Sequence, residues 1–189
     1  PAPDAVEDVV GADADAADAA DAPPFPTVIA AVETRLSTDA VRAGDSVFVF
    51  CDALNTEGEL VLMPSGVSLS YAYAPDASLV RGEGEGEFVG KRVGDATIAC
   101  RVPSLGLVDD TPADLRIVPG LPYTIVTELE ASIVTAGEPV EASCTAYDVF
   151  GNLVPDAPLE LLAAPFGEAV NLFGLRAVIE RADQYTMTC

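Results

Sequence analysis

Nine residues, Ala43-Gly44-Asp45-Ser46-Val47-Phe48-Val49-Phe50-Cys51, return later as Ala136-Gly137-Glu138-Pro139-Val140-Glu141-Ala142-Ser143-Cys144. An internal repeat constrains a fold more than any other sequence feature, because each copy must be one self-similar unit. A constant offset of 93 carries Ala43 to Ala136, Gly44 to Gly137, Val47 to Val140 and Cys51 to Cys144. The same offset continues through Ala53 and Ala146, Asn55 and Asp148, Gly58 and Gly151, and Leu60 and Leu153. The second cysteines, Cys100 and Cys189, differ by 89, so the second copy is four residues shorter between its cysteines. The run Gly82-Glu83-Gly84-Glu85-Gly86-Glu87 is the expected place for that difference, since Gly-rich polar segments tolerate length change. The reading is a tandem duplication in which each copy is a small-residue turn leading into a cysteine-bearing strand of one β-sandwich.

Composition fits an all-β chain. Half of the 189 residues are hydrophobic and only 6% are aromatic, so Val and Ala must carry the cores. Short alternating runs of Val and Thr between Gly and Pro read as strands, and no long segment has the apolar spacing of an amphipathic helix. The expected boundaries are an acidic segment over residues 1–26, one sandwich over 27–119 and a second over 120–189. In the first, strands are predicted at 27–36, 46–53, 67–73, 95–102 and 115–118. Val47, Val49 and Cys51 share one face, as do Ala96, Ile98 and Cys100. Phe48 and Phe50 make the other face of their strand apolar too, which predicts cover by a neighbour. In the second, strands are predicted at 123–134, 140–146, from 159, 177–179 and 185–189, with Val140, Ala142, Cys144 and Ala146 facing in. Asp148-Val149-Phe150-Gly151-Asn152 reads as a turn capped by Asp148.

The second copy holds no counterpart of the strand at 115–118. Its sheet is therefore expected to show an open edge and an uncovered strip of core. Two explanations stand: a longer chain supplies the strand, or another molecule donates it.

Net charge is −22, from 31 acidic and nine basic residues. Such a surface repels phosphate backbones and anionic lipid, which speaks against nucleic acid and direct membrane insertion. Histidine is absent. That removes the commonest general base, the commonest metal ligand and every Ser-His-Asp arrangement, so no catalytic residue is assigned. The Gly82–Glu87 run lacks the Lys and Ser/Thr of a phosphate loop. The four cysteines fall one early and one late in each copy, without metal-ligand spacing. Of the three pairings that four cysteines permit, the repeat selects Cys51–Cys100 and Cys144–Cys189; four free buried thiols are the alternative reading. Each bridge would close a loop worth about 4 kcal/mol in the chain-entropy model. Stable bridges imply an oxidising, extracellular or cell-surface setting.

No cofactor is expected. One alternative is calcium, held by Asp109, Asp110 and Asp114 with Glu128 or Asp148; the plainer reading of those carboxylates is a solvated acidic loop. Loops such as Ser65-Gly66 and Pro165-Phe166-Gly167 are the candidate contacts if the chain is a glycan- or protein-binding module.

Residues 1–26 carry seven acidic side chains and no basic one. This composition cannot bury enough apolar surface to order itself, and like charges extend it as a spacer. No membrane-length apolar run is present. The chain starts in polar sequence, so any export leader is expected to have been removed. An Ala- and Asp-rich spacer of this kind resembles the tether of bacterial surface lipoproteins, which implies a lipid anchor upstream.

A second resemblance rests on Ala136-Gly137-Glu138-Pro139-Val140, then Cys144-x-Ala146-x-Asp148, Gly151-Asn152-Leu153-Val154 and the late run Asp183-Gln184-Tyr185-Thr186-Met187-Thr188-Cys189. Together these resemble bacterial immunoglobulin-like domains, in particular invasin- and intimin-type surface repeats. The resemblance covers about residues 27–189. It implies tandem immunoglobulin-like sandwiches stacked as a stalk, with further domains or neighbouring copies as partners and no catalytic residue. The leading expectation is thus a non-enzymatic extracellular stalk module. The runner-up is a filament subunit completed by a neighbour's strand.

Overall fold

The alternation in the sequence becomes an alternation of burial in a computed structural model, which describes residues 28–165, 167 and 169–189. The acidic segment 1–26 lies outside them. In the first sandwich the strands are β1 (Ala31–Leu36), β2 (Ala40–Arg42), β3 (Ser46–Leu54), β4 (Leu60–Val61), β5 (Ser70–Ala74), β6 (Leu79–Arg81), β7 (Glu87–Gly90), β8 (Gly94–Val102), β9 (Leu107–Val108) and β10 (Ala113–Val118). One sheet runs β1-β3-β7-β6, with β4 on β3, and the facing sheet runs β2-β10-β8-β5, with β9 on β8. Val47 and Val49 from β3 and Phe88 from β7 meet Ala96, Ile98 and Cys100 from β8 and Leu115 and Ile117 from β10 in a thirteen-residue buried core. Each Val, Leu, Ile or Phe among them contributes about 1.5–3 kcal/mol on burial. Phe88 sits at the centre, fully buried, with the rings of Tyr71 and Tyr73 packed edge-to-face against it, centroids 5.3 Å apart in each pair.

The second sandwich has β11 (Thr124–Leu129), β12 (Pro139–Tyr147), β13 (Leu162–Ala164), β14 (Val170–Phe173), β15 (Arg176–Ile179) and β16 (Thr186–Thr188). One sheet runs β11-β12-β15-β14; the other is the pair β13-β16. The chain is therefore all-β, built as two immunoglobulin-like sandwiches in tandem, with no α-helix among the described residues.

Pairing registers make the duplication physical. Val47 faces Phe88, and Val140 faces Ala177. Tyr71 lies beside Cys100, and by the β13–β16 register Leu161 falls in its place beside Cys189. The aromatic trio Phe88, Tyr71 and Tyr73 is thus replaced by Ala177, Leu161 and Ala163. Among the described residues the buried cluster of the second sandwich is Val140, Ala142, Leu161 and Ala177, with Ala146 and Ala163 the other buried apolar side chains.

The four-residue shortening does not sit in the Gly-Glu run alone. Leu54 pairs with Leu60 and Tyr147 with Leu153, both at offset 93. By β13 the offset has fallen to 90, so three residues are lost from the loop before it. The hairpin loses two more: Arg81 and Phe88 enclose six residues, while the equivalent Leu172 and Ala177 enclose four. One residue is regained between, where the first copy has the 3-10 turn Asp76–Ser78.

Other expectations shift. The first strand begins at Ala31, and residues 64–69 form a loop, because Val67 and Leu69 pack on the core without a pairing partner. Phe48 and Phe50 are not fully covered: they are 45% and 43% exposed, and the Arg35 guanidinium lies 5.0 Å above the Phe50 ring. The strand expected from 159 begins at Leu162, while Leu161 still turns into the core. The strand expected over 123–134 stops at Leu129. Its remainder maps onto β2, which in the first sandwich is held by parallel pairing to β10; no described strand lies beside residues 133–135.

Candidate functional site at the joint between the sandwiches

β10 ends at Val118 and β11 starts at Thr124. Between them Gly120 is buried, and a Cβ there would collide with the Ala43 carbonyl oxygen. Only glycine lets the backbone pass this close.

The turn after β12 supplies the clamp. Asp148 is buried at 3% exposure. Its Oδ1 accepts the backbone N–H groups of Phe150 and Asn152, each at 2.9 Å. Its Oδ2 accepts the N–H of Gly120 at 3.0 Å and the Asn152 amide at 2.8 Å. The sequence placed Asp148 as cap of its own turn, and the first pair of bonds is that cap. The bond to Gly120 reaches further and ties the turn to the connecting segment. Burial by itself would raise the Asp148 pKa, but the hydrogen bonds from Asn152, Gly120 and Phe150 outweigh it and hold it below the usual carboxylate range.

Asn152 crosses to the first sandwich. Its Nδ2 donates to the Lys91 carbonyl at 2.8 Å, and its Oδ1 accepts the Val93 N–H at 3.2 Å. An amide side chain donates and accepts from one planar group, which an ionised carboxylate cannot do. In the first copy the pair is exchanged: Asn55 caps the turn, accepting from the N–H groups of Glu57 and Glu59, and its amide donates to the Glu59 carboxylate at 3.1 Å. The sequence showed Asn152 only as a turn residue. Its exchange with Glu59 at the repeat offset is the hint that the two turns differ in task.

The two bridges lie inside the units. Cys51 and Cys100 are bonded across the sheets of the first sandwich, and Cys144 and Cys189 across those of the second. A hydroxyl accompanies each: Thr34 Oγ1 accepts the Cys100 N–H at 2.8 Å, and Thr127 Oγ1 accepts the Cys189 N–H at 2.9 Å. Thr34 and Thr127 are again 93 apart. Sequence reading passed over them because Thr in a strand looks like ordinary β-propensity.

The carboxylates considered for calcium do not converge. Asp109 turns inward at 4% exposure, accepting the Thr34 N–H at 2.7 Å and the Thr111 N–H and hydroxyl at 2.9 Å each. Both its oxygens are engaged by donors. Burial raises its pKa, and the bonds from Thr34 and Thr111 more than reverse this, leaving it lowered. Asp110, Asp114 and Glu128 point to solvent, while Asp148 belongs to the joint. Among the described residues no three acidic side chains are grouped to hold a metal ion. In the Gly-Glu run, Glu87 folds back to accept from the Ser46 hydroxyl at 2.6 Å and the Gly84 N–H at 2.9 Å. Its carboxylate fills the space a side chain at Gly82 would need. Of the candidate contact loops, Ser65-Gly66 is an exposed turn, and Phe166 lies outside the described residues.

No protein-family model and no curated protein matches the sequence. Among solved structures, the chain is similar to FdeC, an Escherichia coli adhesin described as broadly conserved and as eliciting protection against urinary tract infections. The identity is 19% and the TM-score 0.51, over 82% of this chain and 58% of that one, so this chain spans less than two thirds of the adhesin's length. Weaker likenesses are to domains 4–9 of the surface layer protein SbsC, with 11% identity and a TM-score of 0.32 over 85% of this chain and 29% of that one, and to murine CEACAM1b, with 12% identity and a TM-score of 0.25 over 82% and 90%. At these identities the likeness to the adhesin shows the fold alone, and the other two are too distant to argue from.

Proposed function

We propose that this chain is a non-enzymatic, extracellular stalk segment of an adhesion-related bacterial surface protein. It holds a more distal domain away from the cell and bears load. The joint carries this reading. Asp148 and Asn152 fix the second sandwich to both the connecting segment and the first sandwich, so the units are coupled by hydrogen bonds rather than strung on a free linker. Two intradomain bridges suit an oxidising exterior. The fold shared with an E. coli adhesin supports the same setting. In this reading the acidic segment 1–26 is the spacer between the sandwiches and a lipid-anchored end.

Interdomain orientation tests the proposal. Residual dipolar couplings should report one alignment frame for both sandwiches in the wild-type chain. Asn152→Ala should give two frames while each sandwich keeps its own internal couplings. Two independent frames in the wild type would remove the stalk reading.

A further inference from the structure

On the outer face of the β1-β3-β7-β6 sheet, two positions that period two reserves for polar side chains hold phenylalanine. They are Phe48 and Phe50 of β3, between Ser46 and Asp52 on the same face. The second sandwich is an internal control. At the repeat offset of 93 the same places hold Glu141 and Ser143, and the neighbours Arg35 and Asp52 become Glu128 and Thr145. The registers agree, since Arg35 faces Phe50 and Glu128 faces Ser143. One copy keeps an ordinary polar face, and the other sets two half-exposed rings in it. The rings line an open groove of about 300 Å³ together with Arg35, Asp52, Tyr71 and Glu85. Arg35 stacks over Phe50 and donates to Asp52 at 3.1 Å, and the Arg81 guanidinium lies 5.4 Å from the Tyr71 ring centre. Phe48 has no aromatic or cationic partner among the described residues.

We propose that this groove binds a neutral saccharide, one pyranose ring stacking its C–H face on Phe48 while its hydroxyls bond Arg35, Asp52, Tyr71 and Glu85. Size speaks against a protein partner or a second copy. At about 200 Å² per aromatic side chain the two rings expose roughly 180 Å², well short of the roughly 800 Å² a protein partner covers. Val80, exposed on the same face, does not close that gap. Charge speaks against an ion. Arg35, Asp52 and Glu85 line the groove and Arg81 reaches Tyr71, two charges of each sign. Glu33 and Glu87 border it, opposite Asp52 and Phe48 in the registers, and Glu87 is bonded to Ser46 and Gly84. An anion meets that excess of carboxylates. A cation finds the Phe50 and Tyr71 rings taken by the protein's own guanidinium groups. An uncharged polyol meets neither obstacle. Its C–H face suits an aromatic surface, and its hydroxyls can accept from a guanidinium, donate to carboxylates and do either with a phenol. The inference does not rest on the stalk reading, since this face belongs to one sandwich whatever its orientation to the other.

The test titrates the 189-residue chain with cellotetraose, mannotetraose and galactotetraose, followed by NMR of the aromatic ring protons. At least one sugar is expected to shift Phe48, Phe50 and Tyr71 saturably, with Kd about 1 mM or tighter, and to leave Glu128, Glu141 and Ser143 unmoved. Phe48→Ser should weaken binding about ten-fold or more, whereas Phe48→Tyr should keep it. The Phe88 resonances report the fold of each variant. No shift with any of the three sugars, shifts centred elsewhere, or undiminished binding by folded Phe48→Ser overturns the proposal. So does hexalysine moving these rings where the sugars do not, which would make the face a cation site. Ring shifts that grow with protein concentration alone would assign the face to a second copy and overturn it equally.

Discussion

Asp109 and Asp148 are the residues that a reading by composition misjudges most. With so many carboxylates in the sequence, Asp109 looked like one of an acidic loop, and Asp148 was legible as the cap of its turn but not as the acceptor of the Gly120 N–H. Asp109 bonds Thr34 of β1, 75 residues away in sequence, and its near neighbour Thr111. Replacing it by Asn keeps the shape but turns an amide nitrogen toward those donors. Asp109→Asn should therefore cost roughly 2 kcal/mol at neutral pH, the usual worth of hydrogen bonds to a charged acceptor. The folded-state pKa is lowered, so the stabilisation is full above the unfolded value near 4 and fades as pH falls through the folded value. Denaturant melts across pH 2–7 should show wild type and variant converging at the acid end. A gap that stays constant with pH would show that the carboxylate's charge plays no part.

At the scale of strands, alternation was enough to place β3, β8 and β12, whose inward residues are the ones read from period two. The short pieces were not legible. β2 and β9 have three and two residues, too few for any periodicity, and exist because a neighbouring strand holds them. Nor could a sequence reading weigh the two cores, because the exchange of Phe88, Tyr71 and Tyr73 for Ala177, Leu161 and Ala163 emerges only when strands are paired. That exchange has a thermodynamic consequence. The bridges close similar spans, 49 and 45 residues, and each is worth about 4 kcal/mol by loop entropy. The same loss falls on a buried cluster of thirteen residues in one sandwich and, among the described residues, one of four in the other. Replacing Cys144 and Cys189 by Ala should leave the second sandwich unfolded at 25 °C, with exchange-labile amides throughout residues 124–188. Replacing Cys51 and Cys100 should leave the first folded with a lowered melting point. Equal tolerance of both losses would contradict the core comparison.

For the whole molecule, charge and the joint act together. A net charge of −22 on a chain this small stores self-repulsion that added salt screens. Raising NaCl from about 0.02 to about 0.5 M should lift the melting temperature by roughly 2–8 °C, the equivalent of about 1 kcal/mol, in calorimetry at pH 7. A fall over that range would show that ion pairs outweigh the repulsion. The overall plan of two tandem sandwiches was readable from the repeat, whereas the clamp was not, since nothing local to Asn152 reveals that Lys91 and Val93 await it. The paired sulfurs also set how far the molecule can give way. Pulled from its ends, a sandwich that ruptures can pay out only the residues outside its bridge; the 49 and 45 residues within stay reeled in. At about 3.5 Å per residue that withholds roughly 330 Å of slack, so an overloaded molecule lengthens by a bounded step.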